Sequence, residues 1–265
     1  MKLAIPSYFA SILYSVVVVC IVWEIAAMIA GPLRIPDEGA TLQALVHTFN
    51  ADHVIEAQGG GSNGFYPHIL STVTSFLIGF SSGALIGFVI ALVFYQLPHL
   101  RSVTNSTLEF FRVLPPLLVV PFAVCLFKST EMLPAATVAL YTAFTVCVYA
   151  SNALRNIPAN YAILSKLLGS TRFRRVFDVQ LPAIVPGLFG GLRVSCVLGL
   201  GIAIVAEYLA APSGIGRVMK FAMSFSRIDL IFVGVIWVIV IALIMEGLIS
   251  LVMAPLLRWT YREEG

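Results

Sequence analysis

Long apolar runs that are almost free of charge recur along this chain, and nothing else in the sequence constrains its fold as strongly. A membrane-crossing helix needs about 20 mainly apolar residues. Six stretches meet that length: Tyr8–Gly31, His68–Leu97, Ser106–Phe127, Met132–Asn152, Pro182–Ala211 and Leu230–Leu257. Of the 265 residues 59% are hydrophobic and 11% charged, whereas a soluble domain carries about 25% charged residues. So little polar surface cannot coat a water-soluble globule of this size, and lipid must be the solvent for most side chains. In lipid every backbone N–H and C=O must be paired within a helix or a closed barrel. A barrel strand alternates over about 10 residues; these runs are long and continuous, so the chain reads as an all-α polytopic bundle of about six spans. Several runs exceed the minimum, which predicts tilted or broken helices.

The first run follows Lys2 and is longer than the roughly 7–15-residue core of a signal peptide, so it reads as a retained span. Organisation follows as residues 1–67, a first span and an extracytoplasmic segment, 68–259, the main transmembrane domain, and a tail at 260–265. A short amphipathic helix is expected around Thr41–Phe49, before a glycine-rich turn. Cys20, Cys125, Cys147 and Cys196 all fall in apolar runs and read as small buried hydrophobes, not as a disulfide frame or metal site. The four histidines have no ligand spacing and read as interfacial polar groups. The formal net charge of +3 comes without a basic, aromatic-interleaved stripe, so no nucleic-acid partner is implied.

Orientation follows the excess of Lys and Arg on the cytoplasmic side. With six spans, Lys2, Arg101, Arg155, Lys166, Arg172, Arg174, Arg175, Arg258 and Arg262 share one side. Arg34, Lys128, Arg217, Lys220 and Arg227 share the other. Nine against five places both termini and the basic loop 153–181 in the cytoplasm.

That loop carries the most distinctive pattern. Tyr161, Leu164, Leu167 and Leu168 recur at three- and four-residue spacing and give one apolar helical face. Gly169 then ends the helix, a second short basic helix follows, and Pro182 opens the next span, where proline is tolerated. Such a helix either lies on the lipid interface or seats its apolar anchors in a groove of a cytoplasmic partner.

The loop resembles the signature of binding-protein-dependent ABC transporter permeases: Glu-Ala-Ala, three residues, Gly, nine residues, then Ile-x-Leu-Pro. Here Gly169 is followed by nine residues and then Val179-Gln180-Leu181-Pro182, while Ile163-Leu164-Ser165 stands where the family has Glu-Ala-Ala. The departure removes an acidic contact and keeps the helix–glycine–helix order. The segments Leu181–Gly187, Gly191-Leu192-Arg193, Val205-Ala206-Glu207-Tyr208, Ser213-Gly214-Ile215-Gly216 and Leu114-Pro115-Pro116-Leu117 with Pro121 resemble the subgroup importing nitrate, sulfonates, taurine, bicarbonate or thiamine precursors. The resemblance spans about His68 to Trp259.

What it implies is a half-transporter in a bacterial inner membrane. Two permease chains, identical or homologous, form one pathway; each seats its elbow on one of two ATP-binding subunits; an extracytoplasmic binding protein delivers the substrate, a small anion or vitamin precursor. On this reading Tyr161, Ala162, Leu164, Ser165, Leu168, Gly169, Ser170 and Arg172 meet the ATP-binding subunit, and Leu181 and Pro182 end the motif. The chain has no Gly-x-x-x-x-Gly-Lys-Ser/Thr phosphate loop, so ATP and Mg belong to the partner and no cofactor is expected here.

Charges inside spans are expensive and mark either structural pairs or a transport route. Glu109 and Arg112, three apart, share a helix face and read as an internal pair or as pathway lining. Arg193 and Glu207, fourteen residues apart, lie about 21 Å apart along one helix and cannot pair within it. Arg193 is a pathway candidate, and Glu207 either bonds another helix or acts as a gate or docking contact. Glu246 is expected to pair with another helix. Gly79, Gly83 and Gly87, each four apart, predict close helix packing. Two other classes remain: a secondary transporter or channel using the intramembrane charges without a nucleotide partner, and a membrane-embedded enzyme, for which no catalytic motif is found.

Overall fold

The structure, a computed structural model, describes residues 5–31, 34–52, 55–56, 64–97, 116–126, 130–167 and 169–257. Ten α-helices follow in order among these: α1 (Ile5–Ala30), α2 (Glu38–His47), α3 (Tyr66–Gln96), α4 (Pro116–Leu126), α5 (Leu133–Arg155), α6 (Ala159–Leu167), α7 (Arg172–Arg175), α8 (Leu181–Leu209), α9 (Ile215–Ser224) and α10 (Ile228–Met253). No strand occurs among the described residues. Four helices are long and apolar enough to cross a membrane: α3, α5, the continuous helix Phe173–Leu209 that contains α8, and α10. The chain is therefore a multi-pass membrane protein. α1 falls on the first predicted span; of the predicted span Ser106–Phe127 only α4 lies within the described residues.

Apolar length accounts for the spans, but their packing depends on small residues. A Cβ at Gly79, Gly83 or Gly87 of α3 would run into the backbone carbonyls of Ala135, Ala139 and Ala143 of α5 in turn. Two four-residue ladders thus face each other, and the helix backbones touch directly. On α8, a Cβ at Gly191 would lie 2.7 Å from Tyr149 Cβ of α5. α5 is thereby held between α3 and α8, and its Val138, Thr142, Val146 and Ala150 are buried. Outward-facing side chains stay apolar, as lipid requires: Leu77, Ile78, Leu85 and Ile86 on α3, and Leu243, Ile244 and Leu251 on α10, are all exposed.

Two apolar clusters mark the ends of this bundle. One gathers Phe65, Phe76, Leu200, Ile215, Leu230 and Val233 around α9; the other gathers Ala91, Cys147, Ala150, Leu154 and Ile184 where α3, α5 and the start of α8 meet. The expected short helix at 41–49 is α2, begun earlier by Asp37, whose side chain accepts from Ala40 N at 2.5 Å. It packs on α10, with Phe49 and Trp237 ring centroids 5.4 Å apart. Cys125 is exposed, contrary to the expected burial, because α4 turns Val120 and Ala123 inward and leaves its other face open.

Candidate functional site

The basic stretch between α5 and α8 is a helical elbow, not an open loop. α6 begins just after Pro158 and ends at a left-handed glycine: Gly169 has φ +70°, and Ser170 N–H bonds back to Ser165 O at 3.0 Å. This is the six-to-one hydrogen bond of a Schellman C-cap. Nothing lies within 4 Å of a Cβ placed on Gly169, so the turn requires glycine for its backbone angle alone. Thr171 Oγ1 accepts from Arg174 N at 3.3 Å and caps α7. A wide π turn, Val176–Gln180, then runs into α8. Leu181 N–H reaches back to Val176 O, and Pro182 has no N–H to give. Pro182 stands in the first turn of α8, as expected, and the short basic helix before it runs on through the widened turn, so that helix is continuous from Phe173 to Leu209.

The elbow turns its large apolar side chains outward. Leu167 is 79% exposed, Phe173 73%, and Tyr161, Ile163 and Leu164 each 56%. The one buried position described on α6 is polar: Ser165, whose Oγ accepts from Arg175 Nε at 3.0 Å. Phe173 and Phe177 pack ring to ring at 4.8 Å. Gln180 is buried at the foot of α8, and its Oε1 accepts from Gln96 Nε2, at the end of α3, at 2.9 Å. Leu181 packs against the apolar cluster of Ala91, Leu154 and Ile184. The side chains of Ala162 and Arg172, and residue Leu168, lie outside the described residues. Sequence reasoning missed the Ser165–Arg175 and Gln96–Gln180 bonds; the signal available was a serine replacing alanine in the motif and a glutamine beside an apolar span.

The other sequence-selected charges divide sharply. Glu109 and Arg112 lie outside the described residues. Arg193 on α8 pairs with Glu246 on α10, as expected for Glu246, and its guanidinium lies 5.6 Å from the Phe189 ring centroid. The pair is open on one side, with side-chain exposures of 50% and 33%.

Glu207 is buried at the opposite end of the bundle from the elbow, where α8 ends and α9 begins. Its Oε2 accepts from Gly216 N and from Thr72 Oγ1, both at 3.0 Å. Thr72 Oγ1 in turn accepts from Ile215 N at 3.0 Å, and His68 Nδ1 accepts from Gly214 N at 3.0 Å. Three backbone donors that open α9 are thus satisfied by side chains of two other helices, at a terminus whose N–H groups have no partner within their own helix. A carboxylate there also meets the positive end of the helix dipole. Gly214, at φ +115°, leaves room for that carboxylate, which a Cβ there would strike; a Cβ on Gly216 would meet the Ile204 carbonyl first. His68 is therefore a buried capping acceptor, which corrects its reading as an interfacial polar group. Nearby, Arg227 grips Asp229 through Nε–Oδ1 at 2.9 Å and Nη2–Oδ2 at 2.7 Å, and this bonding raises the pKa of the Arg227 guanidinium.

A helical bundle with a glycine-hinged apolar elbow at one end is a recognisable arrangement. The model of the binding-protein-dependent transport system inner membrane component family matches residues 65–258. The chain belongs to this family. Its relatives include the bicarbonate transport system permease of Synechococcus elongatus, 25% identical over 248 residues, covering 91% of this chain and 86% of that one. The putative aliphatic sulfonates permease of Bacillus subtilis is 26% identical over 208 residues, covering 77% and 74%. The nitrate import permease of Synechocystis is 22% identical over 241 residues, covering 89% and 85%. Among solved structures, the inward-facing methionine ABC transporter matches with a TM-score of 0.61 at 17% identity, covering 72% of this chain and 95% of that one. The likeness is one of fold. Family, fold and relatives together identify an ABC importer permease subunit.

Proposed function

We propose that the chain forms, with a second identical or homologous permease, the translocation pathway of an ATP-driven importer, and that it takes up the work of ATP hydrolysis through residues 160–182. The observation that carries this reading is the elbow's exposed apolar ridge of Tyr161, Leu164 and Leu167, on a polar-capped, internally braced helix pair. Outside lipid such a ridge is costly to leave in water, and each large apolar side chain gains about 1.5–3 kcal/mol on burial. A cleft on an ATP-binding subunit is the occupant, with ATP and Mg held by that subunit. Two such subunits and an extracytoplasmic binding protein complete the assembly. Both termini and the elbow lie in the bacterial cytoplasm, and Arg193 with Glu246 faces the pathway, where the open side of an ion pair meets water and not lipid. Names of relatives support a small anion or vitamin precursor as substrate.

ATP binding would draw the two elbows together, and the spans would follow as a rigid body. The driving free energy is the differential affinity of nucleotide for the two states. The test is co-purification of the ATP-binding subunit with the native chain and with the Leu164→Asp/Leu167→Asp double variant. Loss of two buried leucines is worth roughly 3 kcal/mol, or roughly 100-fold in affinity, and the subunit is expected to wash off. Undiminished capture by the double variant overturns the reading.

A further inference from the structure

The elbow is stiff within itself and weakest where it joins the bundle. The Schellman cap at Gly169, the Thr171 cap and the Ser165–Arg175 bond hold α6 and α7 to each other. The join to α8 is a π turn followed at once by Pro182, so the regular four-residue ladder is interrupted there. A push on the elbow would be absorbed by bending at Val176–Gln180 unless something braces that turn. One polar side chain is buried there: Gln180, 7% exposed and bonded to Gln96 at 2.9 Å.

We propose that Gln180 is a positioning residue that ties the elbow to α3 across the π turn, so that α3, α5 and α8 move with the elbow as one body. This rests on the coupling role given to the elbow above. Gln96 is the last residue of α3, and α3 is locked to α5 by backbone contact at Gly79, Gly83 and Gly87. Ala91 of α3, Leu154 of α5 and Ile184 of α8 pack into one cluster beside the glutamine pair. A displacement passed through Gln96 is therefore shared by three helices. A buried amide left without its partner loses the full cost of its desolvation: Gln180 is buried and Gln96 exposed, so Gln96→Leu orphans the Gln180 amide, whereas Gln180→Leu cuts the tie and leaves the Gln96 amide open to solvent.

The test uses the complete transporter, with its ATP-binding subunits, in nanodiscs. Bioorthogonal spin labels replace Arg174 on the elbow and Val93 on α3, both exposed. In the native background the label distance is expected to stay the same with and without ATP–vanadate. In Gln180→Leu, and independently in Gln96→Leu, it shifts on nucleotide trapping while the ATP-binding subunits remain attached. Gln180→Glu, whose carboxylate still accepts from Gln96, is expected to restore the native behaviour. The proposal is overturned if both leucine variants keep the native distance in both states, or if either releases the ATP-binding subunits, which would place the glutamines in docking. A native chain that captures no ATP-binding subunit overturns the coupling reading and this proposal with it. Native capture with leucine variants indistinguishable from native overturns this proposal alone.

Discussion

The two ends of the bundle solve opposite problems. At the α9 end, polar groups are drawn inward: Glu207, Thr72 and His68 are buried, and each accepts a backbone N–H from the start of α9. At the elbow end, apolar groups are pushed outward: Leu167, Phe173 and Leu164 stand in the open, while a serine hydroxyl is buried behind them. At the first end the donors that open α9 all find acceptors within one chain, and Glu207 Oε1 is left buried without a hydrogen-bond partner among the described residues. The second, on the coupling reading proposed above, is completed by the subunit that covers it. Hydrogen-bonded polar atoms at the first end hold three helices together, whereas the exposed apolar atoms at the second are what the proposed coupling would use.

Changes at the α9 end are accordingly expected to cost the fold most. Glu207→Ala strips the acceptor from Gly216 N and Thr72 Oγ1 and leaves both buried. Each orphaned group costs about 1–3 kcal/mol, giving on the order of 4 kcal/mol, to be read from an SDS unfolding titration. Glu207→Gln keeps an acceptor oxygen and is expected to lose far less. The elbow variant Leu164→Asp/Leu167→Asp, measured in the same titration, is expected to lie within about 0.5 kcal/mol of native, as surface substitutions do. Equal losses at both ends would erase the contrast.

A smaller loss is expected midway between the ends. Gly83→Val places its branch against the Ala139 carbonyl in the direct α3–α5 contact. Helices must part or side chains leave their rotamers, at about 2–3 kcal/mol. Gly201 of α8 has nothing within 4 Å of an added Cβ, so Gly201→Ala is the control and is expected to leave the titration unchanged.

The ease of reading these regions from sequence follows the physics that builds them. Spans are visible because apolar length is a local property, and α3, α5 and α10 fall on predicted runs. The glycine stripe announced close packing, but its partner ladder at Ala135, Ala139 and Ala143 is a tertiary fact no local pattern carries. Glu207 was visible as an anomaly, a charge inside a span, yet Thr72, which donates to it, and His68, which accepts from Gly214 N beside it, lie more than a hundred residues away in sequence. On the elbow, Gly169 and its turn were legible because a left-handed cap has a residue signature. The continuity of Phe173–Leu209 was not, because charged helical residues look like a loop to any hydrophobicity criterion and Pro182 looks like a start.

The finest test of the contrast is Gly169→Ala. At the α9 end, Gly214 is fixed both by its angle and by the carboxylate beside it, so any substitution there combines strain with collision. Gly169 separates the two effects: its φ is +70°, yet the space around it is empty. Alanine therefore meets only the left-handed penalty, roughly 1 kcal/mol. Because the elbow is a terminal feature of the bundle, that energy is expected in local opening and not in global unfolding. One kcal/mol is about a fivefold change in an opening equilibrium, so the Ser170 amide, bonded to Ser165 O, should exchange about fivefold faster while the SDS midpoint stays fixed. Gly169→Asn, better suited to the left-handed angle, should recover part of that protection. If alanine instead shifts the global midpoint, the elbow is not a separable piece, and the two ends of the bundle are one cooperative unit.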